Sequence, residues 1–512
     1  MFWNFFRIYL RLAKKNPFTY SINILGFSFG IAATLLLLIY LDYESSYDKF
    51  NKDSDRIYRL ISNIHSKNKD IKVELSQYYQ ASFLKEHGDG IESYCRILPN
   101  MNESRIWQGD AKTLLARRAI IADTNFFSFF HFPLIKVDSN NFLSKENNIV
   151  ISRALKQDLF GDSVAIGKKI MYYGYPTYVC GIMEDIPSNS QIKGDFFMPL
   201  NFAIKPNKQK RDNVIQFISY LKFKEDFNTP QYRDSLMSKL EVYNNKVFEE
   251  DSQGFYSEFQ PMEDVHLKSS SLYYNFLYHD RGNVEYILIS FFLAGFILII
   301  AVINFINLTT AYGGRRAKEI GIRKVLGSGK GLIRIQFLAE SVFTSLFSLC
   351  IAAVIVFFLT PAFGTLMNRP LQFNSTVLFV IGPYLLIGVV IVGLLAGLYP
   401  SLVVSNFSPL VNIRGFITKP VRKSFLQKVL VVFQFMISTF LIIWVSVIFL
   451  QLRYVKVKDL GFEQNKIVLF ESLTGKISRS YEKLLKDIQN IEGVESVAGS
   501  MSVPGSLKTV KE

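Results

Sequence analysis

Apolar residues gather into five long runs, separated by stretches in which hydrophobic and polar positions alternate at short range. The runs cover about 21–41, 286–310, 337–359, 377–404 and 429–450, each near the twenty or so residues a helix needs to cross hydrocarbon. Ahead of the first, residues 1–20 set aromatics and Leu on one helical face and Arg7, Arg11, Lys14 and Lys15 on the other. That pattern predicts an amphipathic helix lying in the interface, broken at Asn16-Pro17. Between the first two runs, residues 42–284 are mixed in polarity and numerous enough to bury a core. Residues 57–61 read as a strand, IVISRALKQDLFGD as a strand feeding a helix that closes at Gly161, and YPTYVCGIM as a strand running into a Pro/Ser/Asn turn. This alternation predicts mixed α/β structure. The fold class is therefore a multi-pass α-helical membrane protein with a large mixed α/β extracytoplasmic domain inserted between spans 1 and 2.

Charge assigns the sides. Residues 1–20, 311–336 and 405–428 hold four, seven and five Lys/Arg, with Glu319 the only acid among them, so they account for the whole formal +15. Five alternating spans put these segments on one face, and the positive-inside rule makes that face cytoplasmic. The N-terminus is then cytoplasmic and the inserted domain lies on the exterior side of the membrane. The basic balance is a topology signal and calls for no nucleic-acid partner. No small-residue cleavage site follows the first run, which reads as a retained anchor. Composition agrees: 49% hydrophobic residues with 46 Phe, yet 20% charged, is the mixture of spans plus a water-facing part. Cys350 lies in the third run. Cys95 and Cys180 could pair, but each sits in a strand-like apolar stretch, which favours two buried thiols.

The segment AYGGRRAKEIGIRKVLGSGKGLIRIQ, residues 311–336, stands between the second and third spans. Glu319 can meet Arg316 at i−3 and Arg323 at i+4 on a helix. Ile320, Ile322, Val325 and Leu326 form an apolar stripe beside the charges. Gly327-Ser328-Gly329 stops the helix, and Ser328 is placed to cap the next one. Juxtamembrane Lys and Arg alone would mean topology and lipid-headgroup contacts, with membrane lipid as the partner. The wording of the segment says more. Arg316, Glu319, Ile320, Gly321, Ile322, Arg323, Lys324 and Gly327, followed by Gln336, Phe337, Leu338 and Glu340, resemble the cytoplasmic loop of MacB/FtsX-like ABC transporter permeases. The resemblance implies a coupling helix that docks on a cytoplasmic P-loop ABC ATPase, with Arg316, Glu319, Ile320, Gly321, Ile322, Arg323, Lys324, Leu326, Gly327, Phe337 and Glu340 as the ATPase-coupling residues. Two further blocks resemble the same family. Val150, Ser152, Phe160, Gly161, Gly167 and Lys168, then Val179, Gly181, Asp185, Pro187, Asn189 and Ser190, match a MacB-like periplasmic core domain over 42–284. Pro400, Ser405, Pro409, Arg414 and Gly415 match the exit from the last span.

Within the first span, Gly26 and Gly30 at GxxxG spacing offer a helix-packing surface. The glycines and prolines of the fourth, from Gly382-Pro383 to Gly397 and Pro400, predict kinks and close packing. Glu340 is an intramembrane carboxylate one turn from the cytoplasmic face, close to Arg334 and Arg323; a structural ion pair is preferred over a proton relay. Asp185, Asn189 and Ser190 are explained by turn chemistry.

Catalytic chemistry is missing. The nearest approach to a P-loop, around Gly329-Lys330, has Lys324 at the first glycine position and Gly331 at the hydroxyl position, so it cannot cradle phosphate in the usual way. His65, His87, His131, His266 and His279 show no metal-ligand spacing. Catalytic, cofactor and metal residues are none, and ATP and Mg are expected on the partner ATPase. The reading is a permease subunit, non-catalytic itself, coupling ATP hydrolysis elsewhere to work of the periplasmic domain: export or efflux, lipoprotein release, or mechanotransmission. A periplasmic adaptor or outer-membrane partner fits it, as does a dimer or pseudo-dimer. The alternative is a transmembrane sensor with an extracytoplasmic ligand-binding domain, which lacks a cytoplasmic output domain here. After the fifth span the pattern restarts: DLGFEQNKIVLF parallels KFNKDSDRIYRL. Residues 451–512 therefore read as the incomplete start of a second periplasmic domain.

Overall fold

The computed structural model describes residues 2–66, 69–99, 104–108, 115–138, 142–204, 215–247, 255–272, 281–373, 375–405, 425–458, 467–468 and 481–499. The basic stretch at 406–424, with Pro409, Arg414 and Gly415, lies outside them, as does most of 451–512. Two compact units result: 1–43 with 285–465, and 44–284 with 466–512.

Among the described residues of the first unit, five helices are long and apolar enough to cross a membrane. They are Pro17–Ser45, Val284–Arg315, Lys330–Met367, Ser375–Ser405 and Phe425–Val457, each longer than its apolar run because the polar ends stay helical. An N-terminal helix, Phe2–Lys15, precedes them, and Pro17 opens the next helix at the position where a missing N–H costs nothing. Phe6 and Tyr9 of the N-terminal helix stack on Phe347 of the third span and meet Phe343 edge-on or tilted. Gly30 brings the first and second spans together: a Cβ there would lie 2.4 Å from Ala301 Cβ, while one on Gly26 would lie 3.4 Å from Asn304 Nδ2. Phe27, Ile31 and Leu35 join Ala301, Ala352 and Val356 in a core shared by three spans. Gly393 and Gly397 of the fourth span face Ser345 and Ser341 of the third. That helix runs unbroken through Pro383 and Pro400.

The second unit is built on one sheet of fourteen described strands. Its first long strand, Ile57–Ser66, lies between Phe255–Pro261 and Ile215–Phe223, antiparallel to both. The sheet continues through Ile91–Leu98, Ala119–Ala122, Phe196–Pro199, Asn148–Ser152 and Tyr175–Met183. Two of those pairings are parallel, Phe196–Pro199 with Ala119–Ala122 and Tyr175–Met183 with Asn148–Ser152. Parallel neighbours need a crossover. The helix Arg153–Phe160, with Ser152 Oγ capping the Leu155 N–H at 3.1 Å, begins the path between Asn148–Ser152 and Tyr175–Met183. Aromatic side chains, among them Phe126, Phe130, Phe197 and Tyr220, fill the larger core. Cys95 and Cys180 are both free and buried; burial pushes the Cys180 thiol up to about 12. After residue 458 no described residue is buried.

The chain leaves the first unit at 43–44 and returns at 284–285, and the base of the second unit knots these two legs. His266 Nε2 lies 2.7 Å from Glu44 Oε2, both side chains buried, with the Tyr47 ring stacked on the imidazole. The Gly282 N–H donates to His266 O at 3.0 Å. Asn189 Nδ2 donates to Ser46 O at 3.1 Å, and Ser190 Oγ to Asp48 Oδ1 at 2.9 Å. Turn chemistry alone therefore does not account for Asn189 and Ser190: they clamp residues 46–48.

Burial outweighs those hydrogen bonds and raises the Asp48 carboxyl from 3.8 to about 6. A folded pKa above the unfolded one means that the contribution is complete below about pH 4 and is lost as pH rises through 6. From this group alone the unit should lose on the order of 3 kcal/mol between pH 4 and neutrality. Asp48 has φ +57°, which Asn tolerates, so Asp48→Asn should remove that slope. Urea unfolding at pH 4.5 and 7.0 checks it; identical slopes in the two proteins would refute the assignment.

Candidate functional site

The helix of the second span ends at Arg315, the chain breaks at Arg316, and a short helix, Ala317–Val325, follows. It closes in a Schellman motif. Gly327 N–H donates to Lys324 O at 3.1 Å and Ser328 N–H to Arg323 O at 3.0 Å, with Gly327 at φ +94°, a conformation that favours glycine. Ser328 does not cap the next helix. Gly329 holds that position, without a side-chain cap, because the Ser328 backbone is already committed to the turn.

A polar circuit fixes this helix to the third span. Arg316 Nη1 and Nη2 donate to Glu340 Oε2 and Oε1 at 2.8 and 3.2 Å. Gln336 Nε2 donates to Glu340 Oε1 at 2.9 Å, and Arg323 Nη1 to Gln336 Oε1 at 2.7 Å. Arg323 Nη2 then reaches Glu319 Oε1 at 2.6 Å, whose other oxygen lies 3.7 Å from Arg316 Nε. The bidentate Arg316–Glu340 pair is the strong link. Burial would lower the Arg316 guanidinium, but Glu340 and the hydrogen bonds to it hold it above its ordinary value. Its planar face also lies 5.0 Å from the Phe337 ring. The partner of Glu340 is thus Arg316. Arg334 turns instead to Ser405 Oγ at 3.0 Å, and Lys324 Nζ to Ser405 O at 2.6 Å, so the hairpin is tied to the fourth span as well.

These contacts divide the sequence-derived residues. Ile320 is 3% exposed, packed with Ile333, Phe337 and Val404; Gly321 is buried, and Arg316 and Glu340 belong to the circuit. Ile322, Val325 and Leu326 are 47%, 65% and 80% exposed, with Gly327 at their end. Glu319, Arg323 and Lys324 lie between the two sets, half-buried. Gly26 and Gly30 are elsewhere, against the second span. Sequence reasoning placed Val325 in the apolar stripe but left it out of the coupling residues, and it missed Gln336 as the link between Arg323 and Glu340. A helical wheel places Val325 beside Ile322, which was the available signal. Among the described residues, no group of His, Cys, Asp and Glu could hold a metal ion.

Known proteins match both units. A family model described as MacB-like periplasmic core domain matches residues 20–238, and one described as FtsX-like permease C-terminal matches residues 291–409, which include the hairpin. The chain belongs to the MacB/FtsX-like ABC transporter permeases. This permease is 22% identical over 299 residues to an uncharacterized ABC transporter permease, YvrN, of Bacillus subtilis, covering 57% of this chain and 68% of that one. It is 24% identical over 208 residues to the macrolide export ATP-binding/permease protein MacB of Neisseria meningitidis, covering 40% of this chain and 29% of that one. The permease thus spans less than a third of the length of the MacB relative. The solved periplasmic region of MacB from Actinobacillus actinomycetemcomitans is 13% identical, with a TM-score of 0.30, covering 41% of this chain and 91% of that one.

Proposed function

We propose that this permease works with a separate cytoplasmic P-loop ATPase, which grips the 311–336 hairpin, and that the spans carry its motion to the inserted unit. The observation that carries this reading is the contrast within one nine-residue helix. Its inner face is locked to the third and fourth spans, while Ile322, Val325 and Leu326 stand in solvent. An apolar face on a rigid mount is suited to being pushed. ATP and Mg belong to the partner, and this chain holds no cofactor in the cycle. The output is export, lipoprotein release or mechanical control of a periplasmic partner. A dimer or pseudo-dimer would present two hairpins to two ATPase copies.

The test co-expresses the permease with the candidate P-loop ABC ATPases of its own genome and takes the one that co-purifies with it. Val325→Asp with Leu326→Asp should weaken association about 30-fold or more, the loss expected for a hot spot of about 2 kcal/mol. Both side chains are exposed, so the spans should pack as before. Undiminished co-purification would end the docking hypothesis.

The orientation proposed with it, N-terminus in the cytoplasm and inserted unit in the periplasm, has its own check. With Cys350→Ser as background, Asp226→Cys and Lys330→Cys both sit at exposed positions. An impermeant maleimide added to spheroplasts should label position 226 and leave 330 unlabelled until lysis. Labelling of 330 from outside would reverse the topology.

A further inference from the structure

A cavity of about 260 Å³ opens in the first unit where the N-terminal helix, the first three spans and the hairpin helix meet. Lys15 and Asn16, both exposed, form its mouth; Asn23, about two helical turns farther along the first span, lines it deeper in. Three lining residues carry a buried polar atom with no hydrogen-bond partner. Asn23 Oδ1 is an acceptor, Arg316 Nε a donor, and Thr309 Oγ1 either. Buried polar atoms are nearly always satisfied, so orphans gathered around one cavity point to an occupant that both donates and accepts. Thr309 is notable because a helical threonine can satisfy itself on the carbonyl four residues back; Thr310 beside it does so on Ile306 O at 2.7 Å.

Charge narrows the choice. Glu340 is held by Arg316 at 2.8 Å and Glu319 by Arg323 at 2.6 Å, so each carboxylate has its own guanidinium. The interior therefore offers no spare charge to an ion, and Lys15 stands in solvent at the mouth. An apolar occupant such as a lipid chain would leave all three orphaned atoms unsatisfied. A small neutral molecule that donates and accepts equally well suits every one of them. We propose that this cavity is a water-filled vestibule, continuous with solvent at Lys15 and Asn16, whose water completes the hydrogen bonding of Asn23, Thr309 and Arg316. Polar cavities hold water where apolar ones of similar size stay dry. Both Nη groups of Arg316 remain committed to Glu340. Water thus serves the Nε edge of the guanidinium and leaves the bidentate pair intact.

The test compares two phenylalanines that are both shielded from bulk solvent. Phe337 borders the cavity and is 3% exposed; Phe27, 1% exposed, lies in the apolar core shared by three spans. Brief radiolysis of the wild-type full chain in lipid nanodiscs makes hydroxyl radicals from water, bound water included, and mass spectrometry locates the oxidised rings. Phe337 should oxidise about tenfold faster than Phe27, because its radicals arise beside it. A second readout sets Thr309→Cys against Ile306→Cys, both with Cys350→Ser. Ile306 is on the same helix but packs with Ala396. A thiol bathed in water meets an aqueous reagent as thiolate, and one in apolar packing does not. Methanethiosulfonate-ethylammonium should therefore modify Thr309→Cys about a hundredfold faster than Ile306→Cys. The wild-type comparison stands even if a cysteine variant folds poorly. Equal oxidation of the two rings, or equal reaction of the two thiols, would overturn the proposal. So would protection of Phe337 and Thr309→Cys that only delipidation lifts, which would mean a lipid in the cavity.

Discussion

Glu340→Ala should speed tryptic cleavage after Arg323 and Lys324 by about 10²- to 4 × 10³-fold. Removing the carboxylate strands the Arg316 guanidinium, largely buried and left with Glu319 at 3.7 Å as its remaining ion-pair contact. Breaking one partner of a buried pair costs about 3–5 kcal/mol, and each 1.4 kcal/mol multiplies the population of the opened hairpin by ten. Arg316→Ala should act similarly, because Glu340 would keep Gln336 as its donor but lose its countercharge. The double variant Arg316→Met with Glu340→Leu removes both charges while conserving volume. It should return cleavage to within about tenfold of wild type, as replacement of buried pairs by apolar groups is often nearly neutral. If the double variant is as susceptible as either single one, the pair is not what holds the hairpin.

Arg59→Leu should lower the melting temperature of the second unit by roughly 6–20 °C. Arg59 is 1% exposed; its guanidinium reaches Glu74 Oε2 at 2.8 Å, Gln260 Oε1 at 2.6 Å and Ser269 Oγ at 2.8 Å. Arg281 Nη2 stands 3.7 Å from the same Glu74 oxygen. Leucine would leave a carboxylate, an amide and a hydroxyl with fewer partners, about 3–5 kcal/mol, and each kcal/mol shifts a unit of this size by about 2–4 °C. Arg59→Lys should recover less than half of the loss, since an ammonium cannot present the planar fork that serves three acceptors. Calorimetry of the purified permease decides it; a change below 2 °C for Arg59→Leu would contradict the burial argument.

The two sites differ in how far the residues alone announced them. Spans are legible because twenty apolar residues have few other uses, and the hairpin helix because Gly327 marks its end and Glu319 finds partners three and four positions away. Those are local signals. Glu340 was recognisable as an anomaly, but its partner was not, since choosing Arg316 over Arg334 depends on a break in the helix that turns residue 316 toward the third span. Ile320 and Ile322, two positions apart, look equivalent in the stripe, yet packing with Val404 buries one and leaves the other in solvent. Arg59 gave no warning. In IYRLI it reads as the outward position of an alternating strand, and its acceptors at 260 and 269 are two hundred residues away in the chain.

The knot at Glu44, His266 and Gly282 has a consequence for how such a chain is assembled in evolution. A Cβ on Gly282 would come within 2.8 Å of Glu44 Oε2, so the two ends of the inserted unit all but touch. A module whose ends coincide can be lifted out and another grafted in without stretching the host helices, and its own ends can be joined and reopened elsewhere. The inserted unit is therefore built as an exchangeable cassette. Any replacement must satisfy one local demand, a pair of ends that approach as closely as Glu44 and Gly282 do.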